Sequence, residues 1–293
     1  MYEAFFGLHE KPFSLTPDPA YFYRSDSHAN AIDLIRHSLS RRTGPVVVTG
    51  ISGAGKTTLC RTVLEELDRN TFTALVLNPY LSEEELLLLV LQDFGVISRG
   101  DAERGRAARV RAADLLRALV DFLRSLTPLG ARALLIVDEA QKLPPAVLQQ
   151  VRTLAALESG GRPLLQIVLA GQLNLRDTLR LPELRDLDAR VAIRYRIRPL
   201  QSDETAAYVT HRLAIAGARS TATFTPRALQ QVHRASGGNP RLINILCDRA
   251  LLAAGASRAA AVQADQVYEA AVRYGLAPRA GSVLGWLRRV AAL

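Results

Sequence analysis

Cysteine, methionine, tryptophan and lysine are all scarce in this chain. There are two cysteines among 293 residues, Cys60 and Cys247, far apart and each within an apolar helical pattern. That excludes a disulfide framework or a cysteine-based metal site, and it fits buried thiols in a reducing cytosol. No apolar run approaches the ~18 residues that a membrane span needs, and the opening MYEAFFGLHEKPF lacks the basic start and apolar stretch of a signal peptide. A cytoplasmic protein is expected. Lysine occurs only at positions 11, 56 and 142, and the other cations are arginine. A formal net charge of +9 invites a nucleic-acid partner. However, no basic stretch is interleaved with aromatics as in single-strand binders, and the arginine bias is equally a matter of genomic base composition.

With 48% hydrophobic and 22% charged residues, the chain has the composition of a well-packed globular protein. Pro12, Pro17 and Pro19 exclude a continuous helix over the first 25 residues. An ordered extended arm is expected there, its aromatics packing on the domain behind it. A helix follows, with Ser25, Asp26 or Ser27 as candidate caps and an apolar stripe at Ala31, Ile32, Leu34, Ile35 and Leu39. Short apolar runs then alternate with amphipathic stretches. Strands are expected at 46–48, 72–77, 134–137, 164–169 and 192–197, and helices at 58–67, 83–94, 109–126 and 145–157. This alternation predicts an α/β fold, a parallel sheet covered by helices.

From Leu200 no strand candidates remain, and caps recur at Ser202, at Thr225 before Pro226 and at Asn239 before Pro240. The expected organisation is an arm and helix over 1–45 packing on the core, a core over 46–199, a small helical lid over 200–276 and a tail over 277–293. In the tail, Val283, Leu287 and Val290 recur near helical spacing, with Trp286 beside them and Arg288-Arg289 opposite. Such a segment is either a terminal helix docked on the body or an element contacting anionic lipid or an inner-membrane protein.

Gly50-Ile51-Ser52-Gly53-Ala54-Gly55-Lys56-Thr57 is a full P-loop match, preceded by a β-branched strand and followed by a helical pattern. The glycines let backbone N–H groups of Gly50, Ser52, Gly53, Ala54 and Gly55 turn toward phosphates, and the helix beginning near Thr58 adds its positive end. Lys56 brings charge to the outer phosphates, and the Thr57 hydroxyl is a magnesium ligand. ATP with magnesium is therefore the expected ligand pair. Roughly eighty residues on, Leu134–Val137 runs into Asp138-Glu139, an apolar strand delivering two carboxylates at its end. Asp138 is the second expected magnesium ligand. Glu139 is the candidate general base for an attacking water, hence the expected hydrolysis. Gln172, just past the strand ending at Gly171, can orient that water or touch the outer phosphate.

The P-loop, the Asp-Glu strand, the polar-ended strand, the arginine-rich segment and the helical lid together resemble an AAA+ ATPase. More narrowly, Phe5-Phe6-Gly7-Leu8, Lys11-Pro12-Phe13, Pro17-Asp18-Pro19, Tyr21-Phe22-Tyr23 and Ser27-His28 resemble the opening of the ExeA/GspA family of bacterial secretion-associated ATPases. Asp138-Glu139-Ala140-Gln141, Gly171-Gln172 and Gly238-Asn239-Pro240-Arg241 match as well.

The resemblance implies that Gln172 is the sensor-1 residue and that Arg190 is an arginine finger reaching the nucleotide of a neighbouring subunit. It also implies that Arg241 is the sensor-2 residue, pointing from the first turn of a lid helix toward the phosphates. A permanently charged, planar group suits both arginine roles, although Arg185, Arg194 and Arg196 are nearby rivals to Arg190. A homo-oligomer is implied, serving assembly of an envelope machine for secretion, a pilus or exopolysaccharide export, with peripheral contact at the inner membrane. Longer family members continue into a membrane span and a peptidoglycan-binding module. The sequence to Leu293 includes neither, so the shorter relatives are the closer analogy. Two other readings stay open: a DNA-associated AAA+ regulator such as a transposition helper, and a nucleotide-dependent scaffold with negligible turnover.

Overall fold

The computed structural model describes residues 2–98, 111–217 and 221–277, so the tail from 278 onward lies outside the described residues. By contact the chain divides into two units. Of these described residues, a sheet unit takes in those within 26–52 and 56–197; a helical unit takes in those within 2–25 and 198–277, together with Gly53–Gly55.

In the sheet unit the chain runs α2 (Asp26–Arg41), β1 (Val46–Thr49), α3 (Lys56–Glu65), β2 (Thr71–Val76), α4 (Glu83–Asp93), α5 (Ala112–Leu126), β3 (Arg132–Val137) and α6 (Pro145–Ala155). A two-stranded hairpin, β4 (Glu158–Ser159) with β5 (Arg162–Pro163), precedes β6 (Gln166–Gly171), α7 (Leu175–Leu179), α8 (Arg185–Arg190) and β7 (Ile193–Arg196). Five strands form one parallel sheet in the order β2-β3-β6-β1-β7.

Burial explains which runs were conspicuous. Every residue of β1 and β6 is buried, as is β3 from Ala133 on, because helices cover both faces of a parallel sheet. The edge strand β7 instead alternates half-buried Ile193 and Tyr195 with exposed Arg194 and Arg196, and charge of this kind discourages edge-to-edge pairing. Helix α5 buries Leu115, Leu119, Leu123 and Leu126, one stripe at helical spacing. Each such fully buried leucine contributes about 1.5–3 kcal/mol. Register sets the site: Thr49 pairs with Gly171 on one side and Arg196 on the other, and Val137 pairs with Leu169. The carboxyl ends of β1, β3 and β6 are thus neighbours.

In the helical unit α9 (Ser202–Ala216), α10 (Pro226–Ser236), α11 (Pro240–Ala256) and α12 (Ala264–Arg273) follow one another. Thr225 caps α10 by accepting from the Ala228 N–H, and Asn239 caps α11 by accepting from the Arg241 N–H. Ser202 is not the cap expected of it. It is the first helical residue, and Gln201 forms a capping box with Glu204.

The larger difference concerns the arm. It opens with α1 (Tyr2–Phe6), and Tyr2, Phe6, Leu8, Phe13 and Tyr21 share one core with Tyr208, Val209, Leu213 and Leu251. The arm therefore shares the core of the helical unit, where its position in sequence suggested the core that follows it. Backbone bonds stitch it there, from His9 N to Ala216 O at 2.8 Å and from Thr221 N to Phe6 O at 3.0 Å. A polar centre completes the join. Arg212, 6% exposed, donates to Pro12 O, to Ser14 O at 3.3 Å and to Tyr208 Oη at 2.9 Å. Its guanidinium carbon also lies 4.6 Å from the Tyr21 ring centre.

Candidate functional site

The loop after β1 leads into α3. Gly53 and Gly55 both take left-handed backbone, φ +80° and +87°, which a side chain would resist. Ser52 between them and the strand is exposed, Ala54 is buried, and Thr57 and Thr58 are half-buried in the first turn of α3. Lys56 is 5% exposed, and its Nζ donates to Gly50 O and Ile51 O, each at 3.1 Å. Burial pulls the Lys56 ammonium below the usual lysine range, and the charges of Glu139 and Asp138 partly restore it.

β3 delivers the carboxylates. Asp138, 2% exposed, accepts the Thr57 hydroxyl on Oδ2 and the Glu139 N–H on Oδ1 at 2.9 Å. A hydroxyl and a carboxylate side by side are the hard oxygen donors that magnesium takes. Among the described residues no cluster of three or more His, Cys, Asp or Glu side chains could hold a metal. The remaining ligands of a magnesium ion here would be phosphate oxygens and water, as is usual for this ion.

Glu139 sits in left-handed backbone, φ +51° and ψ +35°, a conformation disfavoured for a non-glycine residue. Its Oε2 accepts from Gln141 Nε2 and from Lys142 Nζ, each at 2.9 Å. Burial raises the Glu139 pKa, but the hydrogen bonds from Lys142 and Gln141 and the charges of Lys142 and Lys56 outweigh it. They hold the carboxyl below the ordinary glutamate range, so it is ionised at neutral pH.

The structure brings Lys56, Thr57, Asp138 and Glu139 together, and it joins Gln172 to them through a residue to which no role was assigned. Gln141 Oε1 accepts the Gln172 backbone N–H at 2.9 Å. Gln141 and Lys142 follow Glu139 in a 3₁₀ turn, Ala140–Lys142, so their nearness to Glu139 is local; the reach to Gln172 has no signature in sequence.

Arg190 makes a contact of its own within the sheet unit. Arg190, the last residue of α8, pairs with Glu158 of the hairpin at 2.7 Å, both side chains about 40% exposed. Its rival Arg194 is tied to Asp188 at 3.0 Å. Arg241 is the second residue of α11 in the helical unit. In the same contact grouping, a Cβ added at Gly53 would fall 2.7 Å from Arg241 Cβ and 2.7 Å from Asn239 Oδ1, so glycine at 53 is required sterically as well.

A parallel sheet ordered β2-β3-β6-β1-β7, with a P-loop after β1 and an acid pair after β3, defines a P-loop protein of the AAA type. The family profile described as AAA domain matches residues 39–179. The ORC2 protein of Aeropyrum pernix, from a structure with ADPNP and ADP, superposes with a TM-score of 0.65 at 17% identity, over 90% of this chain and 71% of that one. The RuvB Holliday junction branch migration motor of Thermotoga maritima gives a TM-score of 0.55 at 17% identity, over 84% and 68%.

The particular kinship is closer. The general secretion pathway protein A of Aeromonas hydrophila is 44% identical over 254 residues, 87% of this chain. The protein is thus an AAA protein of the ExeA/GspA kind, as its opening motifs implied. The chain spans about half, 45%, of the length of that curated relative.

Proposed function

We propose that this protein hydrolyses ATP with magnesium, and that it does so as an oligomer serving assembly of a bacterial envelope machine. The observation carrying the chemistry is the convergence of Lys56, the Thr57–Asp138 pair and the ionised Glu139 at the ends of β1 and β3. Phosphoryl transfer asks a protein for positioning and for charge against the transferring group, and little else. The loop N–H groups and Lys56 hold and neutralise phosphate oxygens. The Thr57 hydroxyl and the Asp138 carboxylate would hold magnesium, which supplies Lewis-acid charge to those oxygens when bound. Glu139, ionised, accepts a proton from the water it orients. Gln172 orients the same water or the outer phosphate. Arg241 lends charge to the phosphates, and Arg190 lends charge across a subunit boundary.

The link to secretion, pilus assembly or exopolysaccharide export rests on the 44% identity to a general secretion pathway protein. No helix among the described residues is long and apolar enough to cross a membrane. Contact with an inner-membrane protein or anionic lipid through residues 279–293 belongs to this reading, although that segment lies outside the described residues. The rival, a DNA-associated regulator, draws on the net charge of +9 and would show DNA binding that weakens steeply with salt.

The deciding experiment is steady-state ATP turnover with nucleotide affinity. Lys56→Ala is expected to abolish nucleotide binding. Glu139→Gln is expected to bind normally and lose turnover by about 10²–10⁴-fold, the range of general-base contributions. Full turnover by Glu139→Gln would remove the residue from the mechanism, and no turnover by the unaltered chain at any concentration would leave a nucleotide-dependent scaffold.

A further inference from the structure

Gln141 bridges two strand ends and has no part in the mechanism above. Its Nε2 donates to Glu139 Oε2 and its Oε1 accepts from Gln172 N, both at 2.9 Å. The first contact is local; the second joins residues 31 positions apart and ties the turn after β3 to the end of β6. Its partners have opposite polarity, since a carboxylate only accepts and an N–H only donates. They therefore fix the amide's orientation, because a flipped amide would set its oxygen against the Glu139 carboxylate. An ionised glutamate at this position would lack the donor, and a lysine would lack the acceptor.

Gly171 reports the same contact from the opposite side. A Cβ there would fall 2.6 Å from Gln141 Oε1 and 2.8 Å from Leu175 Cδ2. Gly171 is not among the glycines of positive φ, so close approach and not backbone conformation accounts for glycine at this strand end. The other donor to Glu139, Lys142, is 44% exposed, so solvent screens that pair. Gln141 is half-buried and held at both ends. Both donors fall on the same oxygen, Oε2.

We infer that Gln141 is a positioning residue: it aims the Glu139 carboxylate and holds it in register with the end of β6. This rests on the reading of Glu139 as the general base. It is tested by kcat, KM for ATP with magnesium, affinity for a fluorescent ADP derivative and melting temperature in Gln141→Ala, Gln141→Glu and Gly171→Ala, with Glu139→Gln as control. Misplacing a reacting group by about 1 Å can cost on the order of 10²-fold, so kcat is expected to fall roughly 10–100-fold in Gln141→Ala. Affinity for ADP, which lacks the outer phosphate, should stay within about 2-fold, and KM for ATP should change far less than kcat. Gln141→Glu, nearly isosteric, should be at least as slow as Gln141→Ala because it sets a second carboxylate against Glu139. Gly171→Ala should reproduce the kcat loss by displacing the amide.

If Glu139→Gln turns over normally, the general-base reading fails and this role goes with it. If Glu139→Gln is inactive while Gln141→Ala and Gln141→Glu keep the original kcat, the positioning role alone is overturned. A loss confined to KM or to ADP affinity overturns it too. Failure of the near-isosteric Gln141→Glu to fold would make Gln141 a structural residue and would also end the proposal.

Discussion

Replacing Arg212 should release the N-terminal arm from the helical unit. The guanidinium is 6% exposed and donates to Pro12 O, Ser14 O and Tyr208 Oη, with the Tyr21 and Tyr208 ring centres at 4.6 and 5.7 Å. In Arg212→Ala, Ser14 O keeps a donor in Asn244 Nδ2, and Tyr208 Oη keeps Asn244 Oδ1 as acceptor. Pro12 O loses the donor it has, and a buried carbonyl left unmade costs about 1–3 kcal/mol. Losing a desolvated cation–π contact adds about 1–2 kcal/mol, and the space left by the side chain adds to both. The total is about 3–5 kcal/mol, close to what removal of one partner from a buried charged pair costs. Chymotrypsin is the suitable probe, since Phe13 and Tyr21 are 3% and 6% exposed and their bonds are protected while the arm is docked. Cleavage of this kind follows the population of the opened state, so Arg212→Ala should be cut in the arm at least 100-fold faster. Urea unfolding followed by circular dichroism should show a transition weakened by the same 3–5 kcal/mol. Arg212→Lys keeps the charge without the planar fork and should fall between the two. Arm cleavage at the original rate, with a midpoint change worth under about 0.5 kcal/mol, is the size expected of an ordinary surface site and would refute the reasoning.

Two further outcomes are expected. If Arg190 acts across a subunit boundary, turnover per subunit rises with protein concentration, Arg190→Ala binds ATP but hydrolyses it poorly, and mixing it with Glu139→Gln restores part of the activity. Its pair with Glu158, between side chains about 40% exposed, is worth at most about 1 kcal/mol and cannot withhold it; concentration-independent turnover by a strict monomer would sink the idea. Burial pushes the Cys60 and Cys247 thiols well above the ordinary range, and only the thiolate reacts. Ellman's reagent should therefore find no reactive thiol in the folded chain and two after denaturation; rapid labelling of the folded chain would contradict the burial.

The strands were legible because of where they lie in the sheet. β1, β3 and β6 are buried on both faces and read as unbroken apolar runs, and they were placed to within two residues. The edge strand β7 showed itself by alternation instead. The hairpin β4–β5 escaped because two-residue strands carry no periodicity, although Gly160-Gly161 between them, both with positive φ, was a turn signal. Helices α7 and α8, five and six residues long, are too short for a stripe. The arm is a different case. Its aromatics announced burial, but composition does not say against what, and chain proximity favoured the neighbouring core over partners about two hundred residues away.

Lysine scarcity is informative in this chain. In a chain that otherwise uses arginine, Lys56 and Lys142 both act on Glu139, the first by charge and the second by direct contact at 2.9 Å. A compact ammonium can sit under a loop, donating to the carbonyls of Gly50 and Ile51, where a wide guanidinium fork would not fit. The arginines divide along the same line. Arg212 spreads one planar head over two arm carbonyls and a tyrosine hydroxyl, a task for which lysine lacks the geometry. An overall bias can come from base composition; the residues that depart from it, and an arginine such as Arg212 buried among aromatics, are where side-chain shape decides. The bridge made by Gln141 leaves no such trace, because nothing in an Asp-Glu-Ala-Gln sequence says which way the amide turns until β6 is beside it.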